Sequence, residues 1–126
     1  MEFQCVGEWV VENGNIRAHL EKLSNVKNAL YAFVINTEVM YVGKTTKKLK
    51  ERLSMYRSPD QKNKNTDFKI KEKILKSKQP VQIFAFVDNG LFQVGGFHLN
   101  LAAGLEDSII DIINPKWNER GRRNSS

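Results

Sequence analysis

Apolar residues crowd positions 3 to 11, an extended segment that carries Trp9, and Asn13-Gly14 marks the turn that ends it. Ile16, Leu20 and Leu23 follow at helical spacing behind Asn15, a good N-cap, and predict a helix to about Leu23. Two apolar, β-branched runs, 31 to 35 and 39 to 43, then flank Asn36-Thr37-Glu38, a length suited to a hairpin. Alternation puts Tyr31, Phe33 and Ile35 on one face of the first strand and Val39, Tyr41 and Gly43 on one face of the second. Whether the two phenols share a face depends on a register that the turn does not fix uniquely.

Thr45 or Thr46 caps a helix running through Arg57, with Leu49, Leu53 and Tyr56 as its inner stripe and Arg52 on the same side as Tyr56. Ser58-Pro59-Asp60 ends it, and 61 to 65 read as a polar loop. Thr66 opens a further helix to about Lys78, anchored by Phe68, Ile70, Ile74 and Leu75 and stopped by Pro80. Val81 to Val87 is apolar on both faces, as a central, well-covered strand would be. A last helix is expected from roughly Leu101 to Ile113, closed by Pro115, and residues 120 to 126 read as a frayed tail.

These elements predict an α/β chain with α+β layering: a small three-stranded antiparallel sheet flanked by helices. The 126 residues suffice for one domain with a core but not for two. Residues 1–28 are expected to pack on the core as an extension, 29–118 to form the main domain, and 119–126 to be a flexible tail. No apolar stretch approaches the ~18 residues that span a bilayer, and the N-terminus lacks a signal-peptide pattern, so a cytoplasmic protein without membrane contact is expected.

Charge changes the picture more than composition does. From Lys44 to Lys78 there are thirteen Lys or Arg against four acids, while the rest of the chain carries seven against ten. The basic excess is therefore confined to the centre, and such a field suits a polyanion, nucleic acid being the commonest. Lys47, Lys48, Arg57, Lys62, Lys64 and Lys69 are the candidate backbone contacts. A solvated lysine face is the plainer alternative.

Cys5 is the only cysteine, which excludes disulfides within the chain and Cys-based zinc sites, and His19 and His98 have no ligand spacing. Any cation must be held mainly by oxygen. On the last helix, Glu106 falls at the edge of the apolar face formed by Leu105, Ile109, Ile112 and Ile113, where a carboxylate needs a cation or donors; Asp107 and Asp111 face water. A structural ion pair explains Glu106 as well as a metal does. Arg52, on the inner side of a basic helix, has the planar fork that holds a phosphate, although an exposed arginine is the ordinary reading. A strand tyrosine usually packs, and a phenol with pKa ~10 serves as a base only if a cation lowers it; Lys44, close after Tyr41, is the candidate cation.

Ala29-Leu30-Tyr31, Tyr41-Val42-Gly43 with its ten-residue tyrosine spacing, Lys44-Thr45-Thr46, Arg52, Glu106 and Asn118 occur in an order that resembles the GIY-YIG nuclease family over about residues 29 to 118. Tyr31-Ala32-Phe33-Val34-Ile35, the Arg52 to Tyr56 spacing and the segment before the acidic helix look most like its compact restriction-endonuclease branch. Ala29 stands where the family has its first glycine, and Tyr56 stands in for a histidine that many members carry. The resemblance implies Tyr31 as general base, Arg52 as phosphate clamp, Glu106 as sole protein ligand of Mg²⁺ or Mn²⁺, Tyr41 and Lys44 as groups that position or acidify the nucleophile system, Tyr56 on the scissile phosphate, and Asn118 as a brace. It implies a DNA endonuclease that hydrolyses phosphodiesters with one metal ion per site, acting as a homodimer on DNA. A nucleic-acid-binding module without catalysis, using the basic 44–78 segment, is the alternative, and RNA as substrate a weaker one.

Overall fold

The computed structural model describes residues 3–59, 66–87, 93–94, 97–98 and 110–118. Its strands are β1 (Gln4–Glu12), β2 (Asn15–Leu20), β3 (Ala29–Ile35), β4 (Glu38–Thr45), β5 (Gln82–Val87), β6 (Gln93–Val94) and β7 (Phe97–His98); its helices are α1 (Leu49–Arg57) and α2 (Thr66–Lys76). The main sheet is antiparallel and five-stranded, in the order β2-β1-β5-β3-β4, while β6 and β7 pair separately.

The expected three-stranded sheet is thus too small, and the helix expected over 15 to 23 is strand β2. Ile16 and Leu20 fit a strand period as well as a helical one, because four residues is an even number, and Ala18 between them completes the alternation with exposed Arg17 and His19. The hairpin decides between the two periods. Asn13 and Gly14 both take positive φ, 55° and 74°, as a two-residue hairpin turn requires, and Glu12 to Gly7 then pair with Asn15 to Leu20. β5 lies at the centre with β1 and β3 on either side, as its apolar run predicts.

Helices α1 and α2 cover one face of the sheet. Val6, Trp9, Ile16, Tyr31, Phe33, Tyr41 and Ile83 from the strands meet Leu49, Leu53 and Tyr56 of α1 and Ile70 and Ile74 of α2. The other face carries a smaller cluster of Ala32, Val34, Val42 and Ile110. Neither Thr45 nor Thr46 caps α1. Its first residues are satisfied from the main chain instead, Leu49 N donating to Val26 O and Lys50 N to Ser24 O, both at 2.9 Å, while the Thr45 hydroxyl accepts from Lys47 N at 2.9 Å. Of the last predicted helix, 101–109 lie outside the described residues; 110–113 are helical and end at Asn114, whose φ is 52°. Among the described residues no helix is long and apolar enough to cross a membrane.

Two local features set the β3–β4 hairpin. Asn36 and Thr37 both adopt positive φ in a two-residue turn, so Ile35 pairs with Glu38 and Val34 with Val39. Continued without interruption, that register would set Phe33 opposite Met40 and put Tyr41 on the face away from Tyr31. A bulge at Met40 intervenes: Phe33 pairs with Tyr41 and Tyr31 with Gly43. The phenols therefore share a face, whereas Val39, expected beside Tyr41, packs with the opposite cluster.

β4 is an edge strand, and residues 117–118 close that edge. Trp117 N donates to Met40 O at 2.8 Å, and the Asn118 amide accepts from Val42 N and donates to Val42 O, both at 2.9 Å. Asn118 is buried, so Asn118→Ala leaves a main-chain donor and acceptor unpaired. We expect a loss of about 2 kcal/mol, read from urea unfolding.

Candidate active site

Tyr31 and Tyr41 reach the helix-covered face from adjacent strands, and Tyr56 reaches it from the inner stripe of α1. The Tyr31 and Tyr56 hydroxyls are 2.6 Å apart, and the Tyr56 hydroxyl lies 3.5 Å from that of Tyr41. Ring centroids of the three stand 6.3 to 6.4 Å from one another, and Phe33 adds a tilted contact to Tyr31, a stacked one to Tyr41 and an edge one to Tyr56, so the hydroxyls are held by packed rings rather than by loops. Gly43 makes room for this. A Cβ there would fall 2.6 Å from both Cζ and Oη of Tyr31.

Arg52, one turn before Tyr56 on α1, lays its guanidinium over the Tyr56 ring at 4.5 Å and donates from Nη2 to the Tyr56 hydroxyl at 3.2 Å. The same end of the fork meets Asp67, in the first turn of α2: Nη1 to Oδ2 at 2.9 Å and Nη2 to Oδ1 at 3.0 Å. Both side chains are largely withdrawn from water, at 20% and 14% exposure. Nothing local in the sequence singles out Asp67. It is an ordinary acid at a helix N-terminus, favoured there by the macrodipole, and its inward aim follows only from how α2 docks on α1.

The fold thus brings Tyr31, Tyr41, Arg52 and Tyr56 together and ties Asn118 to the strand bearing Tyr41. Lys44 does not join them. It alternates with Gly43 and pairs with Leu30, which places it on the opposite face, exposed. Tyr56, like Tyr31, is fully buried, and its hydroxyl lies between that of Tyr31 and the Arg52 guanidinium, linking the two groups. Lys47, Arg57 and Lys69 are exposed and Lys48 half-buried, all on or beside α1 and α2. Glu106, Lys62 and Lys64 lie outside the described residues.

Burial is the largest influence on the Tyr31 phenol and raises its pKa above the usual tyrosine range; Tyr41 adds to this, and Arg52 opposes it. Tyr56 is raised likewise, again first by burial. Among the described residues, Arg52 is a cation that acts on Tyr31 and Tyr56, and it does not overcome their desolvation. Burial weakens the charge of Arg52 too, but the hydrogen bonds to Asp67 outweigh that and leave its pKa raised, so it stays a cation at every working pH.

No family model matches the chain. Endonuclease II of Enterobacteria phage T4 is 29% identical over 114 residues, covering 85% of this chain and 82% of its own length. The chain is homologous to an endonuclease. Its fold is also that of two solved structures: a mutant of bacteriophage T4 EndoII, with a TM-score of 0.68 at 24% identity over 92% of this chain and 90% of that one, and restriction endonuclease HPY188I in complex with product DNA, with a TM-score of 0.59 at 20% identity over 97% and 81%.

Proposed function

We propose that this protein is a metal-dependent DNA endonuclease of the compact restriction-endonuclease type, hydrolysing phosphodiester bonds to a 5′-phosphate and a 3′-hydroxyl. The observation that carries the reading is the convergence of Tyr31, Tyr41, Tyr56 and Arg52 on one sheet face, in a chain homologous to Endonuclease II. The basic surface of α1 and α2 beside that cluster supports DNA as the polyanion, with Lys47, Lys48, Arg57 and Lys69 on phosphates together with Lys62 and Lys64. Residues 29–118 form the nuclease domain, to which 1–28 contribute β1 and β2. One site cuts one strand, so the working form on duplex DNA is a homodimer, and the setting is the cytoplasm.

Among the described residues no group of three or more His, Cys, Asp or Glu is placed to hold a metal ion, and the Asp67 carboxylate is already engaged by Arg52. By the family resemblance, Glu106 would be the carboxylate that holds a Mg²⁺ or Mn²⁺, with water and substrate oxygens as its other donors. When bound, the ion supplies Lewis-acid polarisation of a phosphoryl oxygen. Arg52 stabilises the negative charge that builds on the phosphorane, Tyr31 takes the proton of the attacking water, Tyr41 and Tyr56 hold the Tyr31 ring and hydroxyl in place, and Asn118 fixes the strand that carries Tyr41. Lys44, on the far face, contributes charge at longer range.

Because burial disfavours the phenolate, only a small fraction of Tyr31 is competent as a base at neutral pH. Raising the pH increases that fraction, so we expect log kcat to climb by about one unit per pH unit through neutrality, with no plateau below ~10. A single-turnover pH profile checks this; a plateau between pH 6 and 8 would assign the base elsewhere. The reading itself is tested by nicking of supercoiled plasmid in Mg²⁺ or Mn²⁺ and its loss on chelation. Plasmid left intact under all these conditions refutes it.

A further inference from the structure

We infer that Asp67 is a positioning residue for cleavage, fixing the guanidinium of Arg52 so that the clamp acts on the transition state rather than on DNA in general. The inference rests on the reading of Arg52 as the phosphate clamp. An arginine at the rim of a site samples many rotamers, and a group held off its productive geometry by about 1 Å can cost on the order of a hundredfold in rate. Here the fork is constrained three ways: Asp67 takes Nη1 and Nη2 at 2.9 and 3.0 Å, the Tyr56 hydroxyl takes Nη2 at 3.2 Å, and the Tyr56 ring lies against its plane.

The two anchors come from different elements, and both are rigid. Tyr56 is fully buried on the same helix as Arg52, whereas Asp67 opens α2, whose Ile70 and Ile74 are buried in the core. A carboxylate that served only the α2 dipole would face solvent. Asp67 is instead 14% exposed, with both oxygens on the guanidinium. Its charge has a second effect, since a carboxylate against the clamp lowers the attraction of Arg52 for any DNA phosphate. What survives among the described residues is the Nε–H and the Nη1–H now set against Met55 Sδ at 3.9 Å, both held in a fixed direction, and their benefit grows as negative charge develops on phosphorus. Interactions of that kind raise kcat rather than tighten ground-state binding.

Asp67→Asn separates these effects. One oxygen and the charge are lost, while size and helix position are kept. We expect single-turnover nicking of supercoiled plasmid in Mg²⁺ to fall on the order of 10- to 100-fold. Affinity for a short labelled duplex, measured by anisotropy without metal, is expected to stay unchanged or tighten. Asp67→Glu should recover part of the rate. A folded Asp67→Asn that cuts at the wild-type rate overturns the inference, as does one in which rate and affinity fall together, since either outcome reduces Asp67 to general support of the fold or of binding. If Asp67→Asn does not fold, Asp67→Glu decides alone: slower cutting with affinity kept supports positioning, and an unchanged rate overturns it. Wild-type protein run in parallel identifies which proposal has failed, because intact plasmid with wild type removes the nuclease reading and this inference with it.

Discussion

Arg52→Ala should lower plasmid nicking by at least about a thousandfold, the scale on which a phosphate-directed arginine acts in a site of this kind. Four contacts vanish together: the bidentate pair with Asp67, the donor to the Tyr56 hydroxyl, the cover over the Tyr56 ring and a weak donor to Met55 Sδ. The variant therefore also loses stability. Asp67 is left as a mostly withdrawn carboxylate without its cation, at a cost of about 2 to 3 kcal/mol, less than for a fully dry pair because both partners keep some water. Arg52→Lys keeps the charge but has no planar fork for Asp67, and it should restore much of the DNA affinity and little of the rate. Nicking rates, duplex affinity and urea midpoints measured side by side check all three statements. If Arg52→Ala cuts within tenfold of wild type, Arg52 is not the clamp.

Gly43→Ala is the second large effect, and it comes from adding one methyl group. Glycine inside a strand ordinarily weakens it, so its presence at a buried position calls for a close neighbour. That neighbour is the Tyr31 ring, which crosses over Gly43 so closely that a Cβ would sit 2.6 Å from Cζ and Oη. The ring is fully buried, with the Phe33, Tyr41 and Tyr56 rings 5.5 to 6.4 Å from it. Either β3 and β4 separate, or the hydroxyl leaves Tyr56. We expect a loss of about 3 kcal/mol in stability and on the order of a hundredfold in cleavage, the latter persisting at temperatures where the variant is folded. Full activity in folded Gly43→Ala would show that the Tyr31 hydroxyl tolerates displacement and is not positioned by this packing.

What could be read from the chain beforehand divides along physical lines. The placing of Tyr31 and Tyr41 in two apolar runs, the inner stripe of α1 with Arg52 beside it, and the central position of β5 are local patterns that the structure contains, although only one face of β5 is fully covered, Phe84 and Phe86 being half-buried and Gln82 exposed. β2 carries a helical signal because Ile16 and Leu20 satisfy both periods, and the choice between them belongs to its pairing with β1. That double signal makes the expected sheet too narrow. The role given to Lys44 rested on nearness in sequence, but adjacent strand residues point to opposite faces, and a cation at the phenols comes from α1. Asp67 was invisible for a related reason: fifteen residues separate it from Arg52, and only the docking of two helices brings them into contact.

Met40 is a matter of parity. Up to it the hairpin counts residues in one phase, and beyond it in the other, so a phenol and the isopropyl group of Val42 exchange sides of the sheet according to whether that single residue is counted. A related chain could retain every reactive group in order, fold the same hairpin one residue shorter, and present tyrosine to the wrong layer, chemically silent with its signature intact. Spacing between the two tyrosines is thus a geometric quantity, and a length change in this hairpin is worth more scrutiny than most substitutions around it.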